Sequence, residues 1–253
     1  MHDIVHQLAK MIDHSLLHPT MTDKDLKEGC ALALQYDTAS VCIKPYAVRE
    51  AAGWLKGSNV LVGTVIGFPH GNSTTSIKVA ECRQACLDGA VEIDMVVNIG
   101  KVLGGNWSYV KEEIAAINAE ARTHGAIVKV IFENDFLEDS HKIRLCEICS
   151  EVPVAFVKTS TGYGFVKGPD GKHSTAGATI GDLLLMRKHS APQVQVKAAG
   201  GVRSLDDMLR VRQTGATRVG ATATVAILEE AKKRFGGGSS YAQQESSNQD
   251  SGY

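Results

Sequence analysis

The sequence predicts a (β/α)8 barrel. Eight short apolar runs alternate with eight helical patterns between residues 11 and 235, a count and span that suit an architecture of ~250 residues. In several runs charged residues hold one parity and apolar residues the other, so each strand offers an apolar face to covering helices and a charged face to its neighbours. Strands joined through helices must be parallel, and parallel sheets are covered on the outside.

Residues 11–17 form the first run, and Thr22 with Asp25 has the spacing of a cap opening a helix over 23–36. The second run, 38–44, carries Cys42 on its apolar side, and a helix follows over 46–55. The third, 60–68, stops before Pro69 and leads to a helix over 75–88, which Gly89 ends. In 91–97, Val91, Ile93, Met95 and Val97 share one face while Glu92 and Asp94 share the other. A helix over 109–124 ends at Gly125, and 126–133 repeats the alternation, with Val128, Val130 and Phe132 opposite Lys129 and Glu133. After a helix over 139–151, the run 154–160 ends in Lys158-Thr159-Ser160, followed by Thr161-Gly162; Lys158 joins the charged face if Ala155 and Val157 point outward. A helix over 180–189 precedes 193–199, where Val194 and Val196 oppose Gln195 and Lys197. Ser204 with Asp207 caps 205–213, Gly215 ends that helix, and 218–221 with 223–235 complete the series. Residues 1–235 thus read as one barrel domain. Residues 236–253, opening Gly236-Gly237-Gly238-Ser239-Ser240, read as a mobile tail with too little apolar surface to offset the entropy of ordering.

Composition narrows the function. The chain has 253 residues, 27 basic against 28 acidic side chains and 43% hydrophobic content, so no excess of charge points to nucleic acid or to anionic membranes. Nowhere do eighteen apolar residues run together, and the start lacks the basic and apolar regions of a secretory signal, so a cytosolic, cytoplasmic protein is expected. Six cysteines in a chain of this length are too sparse for a disulfide scaffold and read as reduced thiols.

The sharpest chemistry lies in Lys158, Lys197 and Asp94. A lysine ending a buried strand is costly, because burial disfavours the ammonium and lowers its pKa, the condition an amine needs to act as a nucleophile near neutral pH. If the strands of Lys158 and Lys197 are neighbours, whichever amine stays protonated depresses the other. An amine that condenses with a carbonyl gives an iminium that accepts electrons from a breaking carbon–carbon bond, and Asp94 could shuttle the protons. Gly162, Gly200, Gly201 and Gly220-Ala221 follow the last three strands, where backbone N–H groups can cradle a phosphate, and Arg203 could add a charged contact.

Weaker candidates have plainer readings. Cys42 reads as a packed core thiol. Cys146 and Cys149 have CxxC spacing but sit in a helical pattern without a second pair, and His14 and His18 lack an HExxH frame, so no metal is expected. Asp13 reads as polar support. Tyr253, on the tail, could fold back over the barrel mouth.

At these residues the chain resembles the deoxyribose-phosphate aldolases, a class I family. Three blocks carry the resemblance: Glu92-Ile93-Asp94-Met95-Val96, Val157-Lys158-Thr159-Ser160-Thr161-Gly162, and Val196-Lys197-Ala198-Ala199-Gly200-Gly201-Val202-Arg203. The likeness spans about residues 8–235. It implies Lys158 as the Schiff-base lysine, Lys197 as the cation that depresses its pKa and Asp94 as the proton relay. It implies phosphate binding by Gly162, Gly200, Gly201, Arg203, Gly220 and Ala221, with Thr161 and Cys42 lining the site and Tyr253 contributing from the C terminus. The partners implied are a phosphorylated sugar and acetaldehyde, with no metal or organic cofactor, in a homo-oligomer such as a dimer. The chain departs from the family's pattern in three places. Thr222 stands where serine is common and keeps the hydroxyl; residues 163–174 lengthen the loop after the Schiff-base strand, which bears on phosphate affinity; and the tail before Tyr253 is long. Two other readings are a Schiff-base aldolase acting on a ketose phosphate and a non-catalytic phospho-ligand-binding barrel, the latter having no need of Asp94, Lys158 and Lys197 together.

Overall fold

The computed structural model describes residues 4–236. Helix α1 (Ile4–Ala9) precedes β1 (Ile12–Leu16), α2 (Asp23–Tyr36), β2 (Ser40–Ile43), α3 (Val48–Trp54), β3 (Leu61–Ile66), α4 (Thr75–Leu87) and β4 (Glu92–Val96). Then come α5 (Ile99–Leu103), α6 (Trp107–Thr123), β5 (Ile127–Ile131), α7 (Asp139–Glu151), β6 (Phe156–Lys158) and a hairpin of β7 (Val166–Lys167) and β8 (His173–Ser174). The chain continues through α8 (Ile180–His189), β9 (Gln195–Ala199), α9 (Leu205–Gln213), β10 (Arg218–Ala221) and α10 (Thr224–Phe235).

Strands β1 to β6, β9 and β10 pair in parallel and close into a barrel, β10 returning to β1. The predicted eight-stranded barrel is therefore the fold. Parity decides what lies on either side of the strands. Ile93, Met95, Val128, Val130, Val157, Val196 and Ala198 belong to the continuous apolar core that packs under the helices, each large side chain contributing about 1.5–3 kcal/mol by leaving water. The opposite parity fills the interior with Asp13, Glu92, Asp94, Lys129, Lys158 and Lys197, all buried.

The caps hold as their spacing predicts. Asp25 N donates to Thr22 Oγ1 (3.4 Å) while Thr22 N donates to Asp25 Oδ2 (2.7 Å). Ser204 and Asp207 repeat this reciprocal arrangement at 3.1 Å in both directions. Helix α4 carries the fully buried Lys78, whose Nζ donates to Glu113 Oε1 on α6 (2.9 Å) and to Val96 O at the end of β4 (2.8 Å), tying the strand of Asp94 to its covering helices.

Some expectations need correction. Cys42 does not face the apolar layer: Ser40 and Cys42 point inward, Ser40 Oγ donating to Asp13 Oδ1 (2.6 Å), while Val41 and Ile43 pack in the core. The sixth strand is only three residues long, and the long loop after it holds the short β7–β8 hairpin, two strands that the sequence pattern did not show. Helices α1 and α5 had no counterpart in the sequence pattern. The tail 237–253, with Tyr253, lies outside the described residues.

Candidate active site

The barrel register brings the lysines together. Lys158, the last residue of β6, lies opposite Lys197 of β9, and both amines donate to one oxygen, Asp94 Oδ2, each at 2.7 Å. Asp94 reaches them from β4, across the barrel interior, while its Oδ1 accepts from Lys129 Nζ at 3.0 Å. Lys197 Nζ also lies 2.5 Å from Asp13 Oδ2, so it sits between two carboxylates, whereas among the described residues Lys158 pairs with Asp94 alone. Beneath them Lys129 pairs with Glu92 (2.6 Å) and Asp13 (3.3 Å), and Arg218 on β10 bridges Asp13 and Glu92.

The electrostatics follow from that asymmetry. Four cationic side chains, Lys129, Lys158, Lys197 and Arg218, face three carboxylates, Asp13, Glu92 and Asp94, so full ionisation would leave one uncompensated positive charge in a medium that stabilises it poorly. Burial pushes Lys158 down, and the charge on Lys197 adds to that against the pull of Asp94. For Lys197, burial is outweighed by Asp13 and Asp94, and its pKa is raised; for Lys129, burial is outweighed by Asp13, Asp94 and Glu92. Arg218 is likewise raised, Asp13 and Glu92 outweighing its burial. Burial would raise Asp94, but Lys129, Lys158 and Lys197 hold its carboxyl well below the usual carboxylate range. The arrangement therefore provides one amine inclined to neutrality, a protonated neighbour and an ionised carboxylate touching both.

The mouth of the barrel is built from loops. Thr161 is held by Glu133 at the end of β5, whose carboxylate accepts from Thr161 N (3.2 Å) and Thr161 Oγ1. Gly162 has φ 86 and open space where a Cβ would stand. After β9, Gly200 and Gly201 have φ 86 and 89, a left-handed conformation that side chains rarely adopt, so the turn there requires glycine. Gly220 lies beside the lysine instead: a Cβ at that position would lie 3.5 Å from Lys197 Cε. Cys42 Sγ is 4.0 Å from Asp94 Oδ2, and burial followed by the Asp94 charge pushes its thiol up to about 11. The His14 ring meets Thr224 Oγ1 at 2.8 Å, and burial pushes its pKa down to about 4, whereas His18 meets Thr20 near the surface, so the two form no ligand pair.

Residues 7–230 match the family described as DeoC/LacD family aldolase. The chain belongs to that family. It is 54% identical over 231 residues to the deoxyribose-phosphate aldolase of Rhodopirellula baltica, covering 91% of this chain and 92% of that one. Identity to the deoxyribose-phosphate aldolase of Caldanaerobacter subterraneus is 46% over 228 residues, 90% of this chain and 94% of the relative. The tetrameric deoxyribose phosphate aldolase of Aeropyrum pernix superposes with a TM-score of 0.79 at 28% identity, covering 92% of this chain and 98% of that one. Among the described residues no helix is long and apolar enough to cross a membrane.

In this DeoC/LacD aldolase the structure brings Asp94, Lys158, Lys197 and Cys42 into one cluster, and Thr161, Gly162, Gly200, Gly201, Gly220 and Ala221 onto the loops and strand ends around the mouth. Arg203 is exposed ahead of α9, where its backbone N donates to Asp207. Sequence reading placed Glu92 and Lys129 on the charged face but did not pick out Arg218, which completes the lower ionic layer. Parity was the available signal, because Arg218 shares the inward phase of Gly220 while Val219 packs in the core.

Proposed function

We propose that this chain catalyses the reversible retro-aldol cleavage of 2-deoxy-D-ribose 5-phosphate to D-glyceraldehyde 3-phosphate and acetaldehyde. The observation that carries the proposal is the excess of one cation inside the barrel, with Lys158 as the amine driven towards neutrality.

Lys158 Nζ attacks C1 of the open-chain aldehyde, and the carbinolamine loses water to give a protonated imine. The proton of the 3-hydroxyl leaves to Asp94, which Lys197 holds in place through the shared oxygen. Electrons of the C2–C3 bond flow into the imine, releasing glyceraldehyde 3-phosphate and leaving an enamine on Lys158. Protonation at C2 and hydrolysis return the amine and free acetaldehyde. The imine is the electron sink, so the chemistry needs neither a metal nor an organic cofactor. Backbone N–H groups at Gly162, Gly200, Gly201, Gly220 and Ala221, with Arg203, hold the phosphate, while Thr161 and Cys42 line the sugar. The enzyme works in the cytosol as a homo-oligomer, a dimer, with residues 1–235 as its single domain; the expected tail beyond residue 236 lies outside the described residues.

Borohydride added after deoxyribose 5-phosphate tests the proposal. Intact mass and peptide mapping are expected to find a reduced adduct on Lys158 and none in Lys158→Leu. An adduct retained in Lys158→Leu would mean that another amine is the nucleophile, and no adduct in a folded enzyme that binds substrate would end the Schiff-base reading.

A further inference from the structure

The long loop after β6 is held at both ends by the turn after β5. Glu133, buried and left-handed at φ 61, fastens the outgoing end through Thr161. Two residues on, Asp135 fastens the returning end: its carboxylate accepts from Thr175 Oγ1 (2.6 Å), Ala176 N (2.7 Å) and Gly177 N (3.1 Å). The segment that Asp135 holds lies against the glycine pair after β9. Ala178 N donates to Gly200 O at 3.0 Å. A Cβ on Gly177 would come within 2.8 Å of the Gly200 backbone, one on Gly200 would lie 3.0 Å from Gly177 Cα, and one on Gly201 would lie 3.8 Å from Ala176 O. Two backbones packed with no room for a side chain between them move together, so the position of 176–178 sets that of 200–201.

We propose that Asp135 is a positioning residue for phosphate recognition. It touches no reacting atom; by clamping 175–177 it fixes Gly200 and Gly201 with their N–H groups facing the substrate phosphate. The inference rests on the phosphate role assigned to those glycines. It also gives the lengthened loop a task, since the insertion spreads outward as the β7–β8 hairpin while its returning end stays locked to the glycine turn.

Steady-state kinetics on 2-deoxyribose 5-phosphate and on unphosphorylated 2-deoxyribose test this, comparing the parent with Asp135→Ala, Asp135→Asn and Gly201→Ala. Asp135→Ala is expected to raise KM for the phosphorylated sugar about tenfold, the effect of roughly one lost anchoring interaction, with kcat and the kcat/KM for deoxyribose each held within about twofold. Asp135→Asn keeps one acceptor oxygen and is expected to fall between parent and Asp135→Ala. An equal loss on both sugars would reduce Asp135 to general support of the barrel mouth, and no loss on either would mean that the clamp is not transmitted; both results overturn the inference. Gly201→Ala separates it from its premise. If that variant discriminates against the phosphorylated sugar while the Asp135 variants do not, only the positioning role falls. If Gly201→Ala does not discriminate, the phosphate site is elsewhere and the inference falls with it.

Discussion

Replacing Lys197 by methionine removes a cation that, with burial, pushes the Lys158 pKa down, while retaining much of the side-chain volume. Both amines contact Asp94 Oδ2 at 2.7 Å, so their nitrogens stand no further apart than twice that distance. At such a separation, with an effective dielectric constant of ~20, two unit charges repel by about 3 kcal/mol. Each 1.36 kcal/mol corresponds to one pH unit, so the acidic limb of the kcat/KM profile is expected to move upward by about two units. The sign follows from the geometry. Lys197 disfavours the ammonium of Lys158, and it also draws on the carboxylate that would otherwise favour it, so its loss makes Lys158 harder to deprotonate. At neutral pH the loss in kcat/KM is about a hundredfold, and most of it is recovered in alkaline buffer. Coupled turnover of deoxyribose 5-phosphate across pH measures this, because kcat/KM reports groups of the free enzyme. A limb that stays in place while the whole profile drops would refute the reasoning, assigning Lys197 to proton transfer or packing instead.

Other expectations follow from the same structure. Lys78→Met leaves Glu113 buried without its cation and is expected to lower stability by about 3–5 kcal/mol, while Lys78→Met combined with Glu113→Leu recovers most of that; urea unfolding measures both, and a double variant as unstable as the single one would contradict it. Cys42, its thiol pushed up to about 11, is expected to react with iodoacetamide near pH 8 roughly a hundredfold more slowly in the folded enzyme than in the unfolded chain, and rapid labelling seen by peptide mapping would show a thiol freer than its burial implies. Deleting Tyr253 is expected to slow solvent exchange of the acetaldehyde methyl protons if the tail reaches the enamine; unchanged exchange by NMR dismisses the tail.

Much of the fold was legible because its punctuation is local. The helices at 23–36, 139–151, 180–189 and 205–213 match the structure residue for residue, three of them opened by a hydroxyl, on Thr22, Thr179 or Ser204, that accepts from a backbone N–H of the helix's own first turn. Helices α1 and α5 escaped because six and five residues carry too little periodicity to register, although Asn98 does cap α5 by accepting from Lys101 N at 3.1 Å. Cys42 was assigned to the wrong side for a different reason. A thiol is a small hydrophobe and fits an apolar pattern as readily as a polar one; its neighbours Val41 and Ile43, both in the core, settle its orientation. Lys78 and Glu113 were invisible, because a charged pair on two helices separated by 35 positions looks like two solvated side chains until the helices pack.

By itself the sequence determined the order of the eight barrel strands and the helices between them, a shared charged phase for Asp94, Lys129 and Lys197 that Lys158 joins if Val157 points outward, and the presence of two strand-borne lysines with a carboxylate. Those are properties of neighbouring residues along the chain, which alternation and capping express directly. Only the tertiary structure decided which lysine is pushed down and which is held up. Closing the barrel sets β1 beside β10 and turns Asp13 towards Lys197, giving that amine two carboxylates and leaving Lys158 with a share of one. Charge compensation in a buried site depends on through-space partners drawn from six strands, and no spacing along the chain encodes it.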